Sequence, residues 1–594
     1  MKKAFILIVL VVFNMPTIFS QAVINDSHSL NRYKNIPQEK VFVHYNTSLL
    51  FAGEYLYYSV YTINSATNKL STISKIAYVE LIGEDHKEVF KHKIKLEKGV
   101  GQGDFFIPTS VPSGNYKLIS YTNWMLNGEK NHFFQDDISI INPYKGNQEA
   151  ILMDGINDEN QVINTSQNSK ENQLNKFNGQ YISLSTDRTK YKKRENVALT
   201  IKNLMSTPLQ GTYSLSVRKI NTISHSSRYK ATNYNSLYSK NIISKNRSIN
   251  ELVYLPELRG ELITGSVVYK ETNLPASDKK VAISISGKEF IFKISSTNNN
   301  GVFYFNLDKE YTNSSAIIQV IGSDKEKYKI EISEYPSVDY STLEFNKFKI
   351  NPGMKDIILE RSIYNQIENG YFSVKPDSII IKNVKLPFYY GESTTTYDLD
   401  DYTRFSTVKE VFVEIVKHVW TRKISNEETV FQVRSYVMEN DSNLLPLIIV
   451  DDVLIQDHNH LFEYNANKIK TVSILREKYF FGTQIYQGII AIKTIDGDYK
   501  NRLYGDYIDT IELFSPQPEK NYFHQMYDEK TDAISNRIPD FRSQLLWIPR
   551  ININSEEITL QFFTSDNSGD YEICLEGFTV HGKPVSIRNI ITVE

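Results

Sequence analysis

Between residues 39 and 143 apolar and polar positions alternate in short runs: KVFVHYN, YLYYSVYTI, IAYVELI, FKHKIKL, YKLISYT and ISII, each of strand length. The stretches GEDHK, EKGVGQGD and PSGNY between them carry the residues that favour turns. Regular short strands at this spacing predict a β-sandwich over 37–145. YISLSTDRTKYKKRENVALTIKN and GTYSLSVRKI repeat the strand-turn-strand logic over 180–250, a second sandwich ending in a polar loop at 221–250. The Asn/Gln-rich segment 146–179 between them is nearly free of aromatics and reads as a linker.

A third run of short strands predicts a small sandwich over 251–335, and 336–398 reads as connecting β structure. In TVKEVFVEIVKHVW (407–420), Val408, Val411, Phe412, Ile415, Val416, Val419 and Trp420 form an apolar stripe with helical spacing. Thr407 and Glu410 stand at capping-box spacing before it. That helix is expected to lie on a sheet made by LPLIIVDDVLI, IKTVSILR and QGIIAIKT, giving an α+β unit over 399–497. The tail 498–594 is expected to form its own β unit. In it PDFRSQLLWIPRI is a strand, and the two strands flanking Ser-Asp-Asn-Ser-Gly form a closing hairpin. The predicted class is mainly β: tandem sandwiches plus one α+β domain, with no transmembrane barrel.

At the N-terminus, Lys2 and Lys3 precede the apolar run AFILIVLVVF, and IFSQA offers a small-residue cleavage site after Ser20. A run of this length is too short to span a bilayer and predicts a signal peptide over 1–20, hence export to the periplasm or outer membrane of a Gram-negative envelope. Sixty-seven basic against 69 acidic residues give a formal charge of −2, so no bulk field favours nucleic acid or lipid. Cys574 is the sole cysteine, which excludes an intramolecular disulfide and leaves stability to burial, for which 39 Tyr and 31 Phe supply strand-favouring bulk.

Three stretches carry resemblances. KVFVHYNTSLLFAGEYLYYSVYTI and GVGQGDFFIPTSVPSGNYKLISYTNWM resemble a macroglobulin-type domain, with Gly101, Gly103 and Gly114 expected to supply backbone angles closed to other residues. ELITGSVVYKETNLPASDKK to TNNNGVFYF resembles the carboxypeptidase regulatory-like domain, the small sandwich appended to zinc carboxypeptidases. Its matching features are Gly265 to Val267, the bend after Pro275 and Gly301. The 399–497 unit resembles the plug of TonB-dependent receptors, keeping Gly482 and Gly488 but placing Asp452 where a turn glycine is usual. Only 100 residues follow Thr494, whereas a 22-stranded barrel needs roughly 200 in strands alone. Exported proteins built from such modules generally lack a known activity, and the resemblance implies the same here.

Few residues suggest chemistry. His460 and Glu463 form an H-x-x-E pair with His581 downstream, but a zinc site needs ligands converging on one cleft, and chance matches are expected among 11 His. Cys574 in YEICLEG lacks the downstream Gln of a thioester and reads as a small buried hydrophobe. Asp398, Asp400, Asp401, Asp451 and Asp452 could offer oxygen ligands to a cation but fit no EF-hand spacing and read as turn carboxylates. No nucleophile elbow, phosphate loop or dinucleotide fingerprint occurs. The sequence therefore predicts a non-enzymatic envelope protein without catalytic, cofactor or metal residues. It is expected to act by contact with an outer-membrane protein, a β-barrel included, and not with nucleic acid. The alternative is capture of a peptide or glycan for an uptake system, which requires an exposed aromatic platform. An unrecognised hydrolase is the third reading and would need titratable groups gathered in one pocket.

Overall fold

The computed structural model describes residues 21–23, 27–128, 132–153, 181–205, 210–223, 225–237, 248, 252–287, 290–311, 313–380, 393–425, 428–436, 444–482, 484–527 and 537–594. The expected signal peptide, most of the linker and part of the 221–250 loop lie outside them. The protein is mainly β and divides into two compact units, one of 262–338 and 383–515, the other of 22–261, 339–382 and 516–594. No helix among the described residues is long and apolar enough to cross a membrane, which says nothing of a β-barrel.

The first sandwich has strands β1 (Glu39–Tyr45), β2 (Leu49–Phe51), β3 (Tyr55–Asn64), β4 (Ile76–Gly83), β5 (Glu88–Lys95), β6 (Val100–Phe106), β7 (Gly114–Tyr121) and β8 (Phe134–Ile141). They form a three-stranded sheet, β1-β3-β6, and a five-stranded sheet, β2-β8-β7-β4-β5, in which β2 runs parallel to β8. GVGQGD, expected as a turn, is strand β6. Gly101, Gly103 and Gly114 all lie outside the positive-φ region, so backbone angle is not what selects them. Space selects two of them: a Cβ on Gly103 would stand 2.4 Å from the Tyr58 hydroxyl, and one on Gly101 2.5 Å from Ile94 Cγ2, whereas one on Gly114 would meet nothing nearer than Tyr116 at 3.5 Å.

A second sandwich opens with β9 (Ile182–Thr186), β10 (Lys190–Tyr191), β11 (Asn196–Asn203) and β12 (Gly211–Lys219). The chain then leaves it. The next strands are β13 (Glu261–Tyr269), β14 (Lys280–Ile285), β15 (Ile291–Ser296), β16 (Val302–Leu307), β17 (Ser315–Ile321) and β18 (Tyr328–Ile332). They build sheets β16-β13-β18 and β15-β14-β17 around Val267, Ile283, Phe303 and Ile318. As the Asn-Asn-Gly sequence suggests, Gly301 takes φ 73° at its turn.

Segment 336–398, read as connecting β structure, instead carries the longest helix among the described residues, α1 (Lys355–Gly370). The α+β unit follows with β19 (Thr394–Asp398), α2 (Val408–Glu414), β20 (Val419–Lys423), β21 (Thr429–Val433), β22 (Leu447–Val450), β23 (Val453–Ile455), β24 (Ile469–Phe481) and β25 (Gln484–Thr494). Its sheet order is β19-β24-β25-β22-β23, with β22 parallel to β25. The Thr407/Glu410 capping box is present, and Val408, Val411 and Phe412 pack on Ile448, Val450, Ile490 and Ile492 as expected. The helix is half the expected length, however. It stops at Glu414, His418 turns the chain at φ 69°, and Val419 and Trp420 pair with Val433 and Gln432 in a hairpin. β-branched valines serve either element, so the stripe alone could not mark the exit. Asp451 and Asp452 both take positive φ, 49° and 67°, closing the β22–β23 hairpin with the backbone that a glycine would normally provide. Asp451 is held there by Thr494 N–H (2.8 Å) and Thr494 Oγ1–H (2.6 Å), and Asp452 by Lys493 (2.6 Å). β26 (Ile508–Glu512) then returns to the small sandwich and pairs with β17.

The last strands are β27 (Gln544–Ile553), β28 (Glu557–Phe563), β29 (Gly569–Thr579) and β30 (Pro584–Val593). They form no separate tail unit. β12 pairs with both β27 and β29, and β11 with β28, so 180–250 and 498–594 share one sandwich, with sheets β9-β11-β28 and β10-β30-β29-β12-β27. Nor do β28 and β29 form a hairpin: the Ser-Asp-Asn-Ser-Gly segment crosses from one sheet to the other, tied down by Thr564 Oγ1–H to Lys192 O at 2.7 Å. Strand for strand this topology repeats the first sandwich, three against five, with the second strand parallel to the eighth (β10 to β30). The other domains enter the second copy where the first has the tight turn between β4 and β5.

Candidate functional site

The two sandwiches meet through faces that a strand pattern alone would assign to solvent. On β1 Phe42 and His44, and on β3 Tyr57, Ser59 and Tyr61, point away from the first core. Ser214 Oγ lies 2.6 Å from His44 Nδ1 and accepts from the Tyr61 hydroxyl at 2.9 Å. Phe578 packs edge-on against Phe42, and Trp547 stacks on Tyr57 at 6.0 Å. Burial and the nearby Arg228 and Arg588 keep His44 neutral, well below the usual histidine range.

Helix α1 binds the β2–β3 loop through a polar ladder. Arg361, Asn365 and Asn369 stand one turn apart on one face. Asn365 donates to Ala52 O (2.8 Å) and Asn369 to Gly53 O (3.0 Å), while Arg361 grips Glu54 through Nε (2.8 Å) and Nη2 (2.7 Å). Gly53 takes φ 92°, and a Cβ there would strike Asn369 at 2.6 Å. Arg218 of β12 reaches the same carboxylate at 3.0 Å. Burial would raise the Glu54 carboxyl, but the two guanidiniums hold it below the usual range.

Beside this cluster opens a cleft of about 950 Å³, open solvent included. Its wall is a chain of rings: Phe372 stacks on Tyr55 at 6.0 Å, Tyr55 on Tyr57 at 5.5 Å, and Tyr522 meets Tyr57 edge-on at 5.0 Å. Beside the cleft, Phe106 adds a fifth ring against Tyr55. Phe372 and Phe106 are 47% and 39% exposed, so the outer end is an accessible apolar surface. At the inner end the buried Trp547 has an indole N–H without an acceptor. Asp377 accepts from Phe523 N–H at 2.9 Å, and burial raises its carboxyl.

The floor near Phe541 rests on a second ion cluster. Arg542 holds Asp540 through Nε (2.6 Å) and Nη2 (2.7 Å), Tyr527 O–H donates to it at 2.5 Å, and Lys375 joins Glu368 at 2.6 Å. Burial opposes ionisation of Asp540, yet Arg542 and Lys375 overcome it and leave the carboxyl at about 2. A folded value below the unfolded one contributes stability above the unfolded range. That contribution, on the order of 2 kcal/mol, is expected to vanish as pH falls from about 4 towards about 2. Urea titrations at stepped pH would show it, and Asp540→Asn should flatten the acid limb.

The structure does not gather the sequence-derived candidates. His460 is exposed, 3.5 Å from Asp457, and Glu463 is exposed in the same unit, whereas His581 belongs to the other. No group of three His, Cys, Asp or Glu side chains among the described residues is placed to hold a metal ion. Asp398 caps a short 3₁₀ turn through Asp400 N–H, and Asp400 pairs with Arg404. Asp401 is exposed. Cys574 is buried on β29, where burial pushes its thiol up. Glu54, Arg218, Arg361 and the aromatic cleft were not foreseen. The available signal was aromatic bulk at the outward positions Phe42, Tyr57 and Tyr61.

No family model matches the chain, and no curated protein does. Solved structures similar in fold do exist. An Escherichia coli alpha-2-macroglobulin activated by porcine elastase shares 8% identity over 94% of this chain and 44% of its own, with a TM-score of 0.23. The native form of the Escherichia coli protein shares 9% over 98% and 41%, also at 0.23. The Yersinia pseudotuberculosis adhesin InvE shares 9% over 50% and 59%, at 0.13. The chain thus spans less than half the length of the macroglobulins it matches. At these scores the strand topology remains the description of the fold.

Proposed function

We propose that this is a non-enzymatic contact protein of the bacterial envelope, in which the paired sandwiches present the aromatic cleft to a segment of a partner protein. The observation that carries the reading is the ring series from exposed Phe372 and Phe106 through Tyr55 and Tyr57 to buried Trp547. Aromatic side chains of this kind, rigid and graded from exposed to buried, dominate protein-recognition energetics. The ion clusters of Glu54 and Asp540 fix the walls, so little ordering remains to be done on binding. Docking of the 399–497 unit to a barrel supplied by another chain is the finer form of the proposal; it rests on the resemblance to receptor plugs. Capture of a peptide is favoured as a second reading by the exposed rings Phe372 and Phe106, which offer an accessible aromatic surface on either side of Tyr55.

Fractionation of the native cell with crosslinking and mass spectrometry tests the proposal. An envelope fraction in which cleft-rim peptides crosslink to another protein is expected, and Phe372→Ala should diminish that crosslink. A cytosolic address, or a crosslink pattern indifferent to Phe372→Ala, would refute it.

A further inference from the structure

The second sandwich leaves one flank of its smaller sheet open. In the sheet β9-β11-β28, strand β28 has a neighbour on one side alone among the described residues. Its hydrogen-bond alternation is fixed at both ends. Asn203 N–H donates to Glu556 O at 2.7 Å and Thr564 N–H to Glu195 O at 3.0 Å, in the register that pairs Leu199 with Leu560. The even-numbered residues of β28 therefore bond to β11, and Glu557, Thr559, Gln561 and Phe563 turn their backbone N–H and C=O outwards. Side chains answer at the two ends: Ser555 O–H donates to Glu557 O (3.0 Å) and Arg542 Nη2–H to Phe563 O (3.4 Å). Thr559 and Gln561, between them, are exposed. We propose that β28 is a dimerisation edge, which pairs antiparallel with β28 of a second copy of this chain about a two-fold axis at Leu560.

Comparison within the molecule singles this edge out. At the other edge of the same sheet, the residues of β9 that turn outwards include Ile182 and Leu184, and both are buried. In the first sandwich the counterpart of β28 is β6, whose outward-turned Val100, Gln102 and Asp104 are buried as well. The chain itself covers them. Arg550 Nη2–H donates to Val100 O (2.6 Å) and Gln102 Nε2–H to Lys520 O (2.7 Å), and Lys520 reaches Asp104 at 2.8 Å. Strand β28 also lacks what guards a bare edge: it is seven residues long, continuous in register and free of proline, and its one charge, Glu557, stands at its start. The strand is moreover its own complement. Pairing about Leu560 sets Thr559 opposite Gln561 twice, which makes four N–H···O bonds from groups turned to solvent. On the core face it brings Ile558 against Phe562 and Leu560 against its copy, where Ile558 and Leu560 are only partly buried. Glu557 falls opposite Phe563, so no like charges meet. A two-fold pairing uses both edges and closes. No residue of β28 lines the aromatic cleft, so the proposal stands apart from the contact reading.

Sedimentation equilibrium of the full chain lacking residues 1–20 tests it, and a reversible equilibrium between monomer and dimer is expected. Thr559→Pro removes an outward N–H while sparing the ladder to β11. It should weaken dimerisation by about tenfold or more and leave the melting temperature of the monomer little changed. Should that variant fail to fold, Thr559→Lys with Gln561→Lys alters exposed side chains only, sets lysine opposite lysine and should weaken the dimer likewise. A monomer at every concentration would overturn the proposal and leave the edge to a strand of another protein. An open series of larger oligomers, or a dimer that these variants leave intact, would overturn it too.

Discussion

A chain ending at Ser543 is expected to lose the second sandwich altogether, not merely a tail. Such a truncation removes β27 to β30, and with them twelve members of one core: Leu545, Leu546, Ile551, Ile553, Phe562, Tyr571, Ile573, Leu575, Val585, Ile587, Ile591 and Val593. At about 1.5–3 kcal/mol for each fully buried side chain, that exceeds the roughly 5–15 kcal/mol by which a whole domain is stable. What remains, β9 to β12, would be two fragments of facing sheets, β9-β11 without β28 and β10 and β12 without β27, β29 and β30, exposing Val197, Leu199, Tyr213 and Leu215. Limited trypsin digestion reads this directly. Arg194, Lys202 and Arg218 should be cut slowly in the full chain and rapidly in the truncated one, and a 544–594 fragment added in trans should restore part of the protection. Unchanged protection after truncation would mean that 498–594 is the separate unit its sequence suggests.

That expectation shows where sequence reasoning stopped. Local alternation made most strands legible: β1, β3, β4, β5, β7 and β8 all fall in runs that the pattern marked. Partnership between strands more than 300 residues apart leaves no local trace, so β12 with β27 and β29 could not be read. Helix α1 escaped for a different reason. Its inward face is Arg361, Asn365 and Asn369, while Leu359 and Ile363 are 56% and 46% exposed, so its pattern inverts the amphipathic rule. The candidate site was hidden by the same two causes. Its rings come from β3, β6, β27 and the separate stretches that carry Phe372 and Tyr522, and its ionic residues look like ordinary surface charges until burial is known. The capping box at Thr407 and the turn at Gly301, by contrast, are local chemistry and were legible to the residue.

Glu54→Ala is expected to destabilise the sandwich pair by about 3–5 kcal/mol, because it leaves Arg218 and Arg361 buried without a counter-charge. The loss reaches further than one ion pair. Glu54 Oε2 also accepts from Phe51 N–H at 3.2 Å, and Arg361 ties the helix to Leu49 O and to Asn221 Oδ1 at 2.6 Å. Helix α1 should therefore loosen from the β2–β3 loop first, seen as faster amide exchange at Ala52, Gly53 and Glu54, before any global change. Removing one cation and the anion together separates charge from packing: Glu54→Gln with Arg218→Met should cost clearly less than the two single changes summed, since only Arg361 is then left without its counter-charge. The pH dependence has a definite sign. With the folded carboxyl held below its unfolded value, the contribution of Glu54 is present at neutral pH and is lost on acidification through that depressed range, so wild type and Glu54→Gln should converge in stability only there. Equal stabilities at neutral pH would show that Arg218 and Arg361 find other partners, and the cleft wall would then be movable rather than fixed.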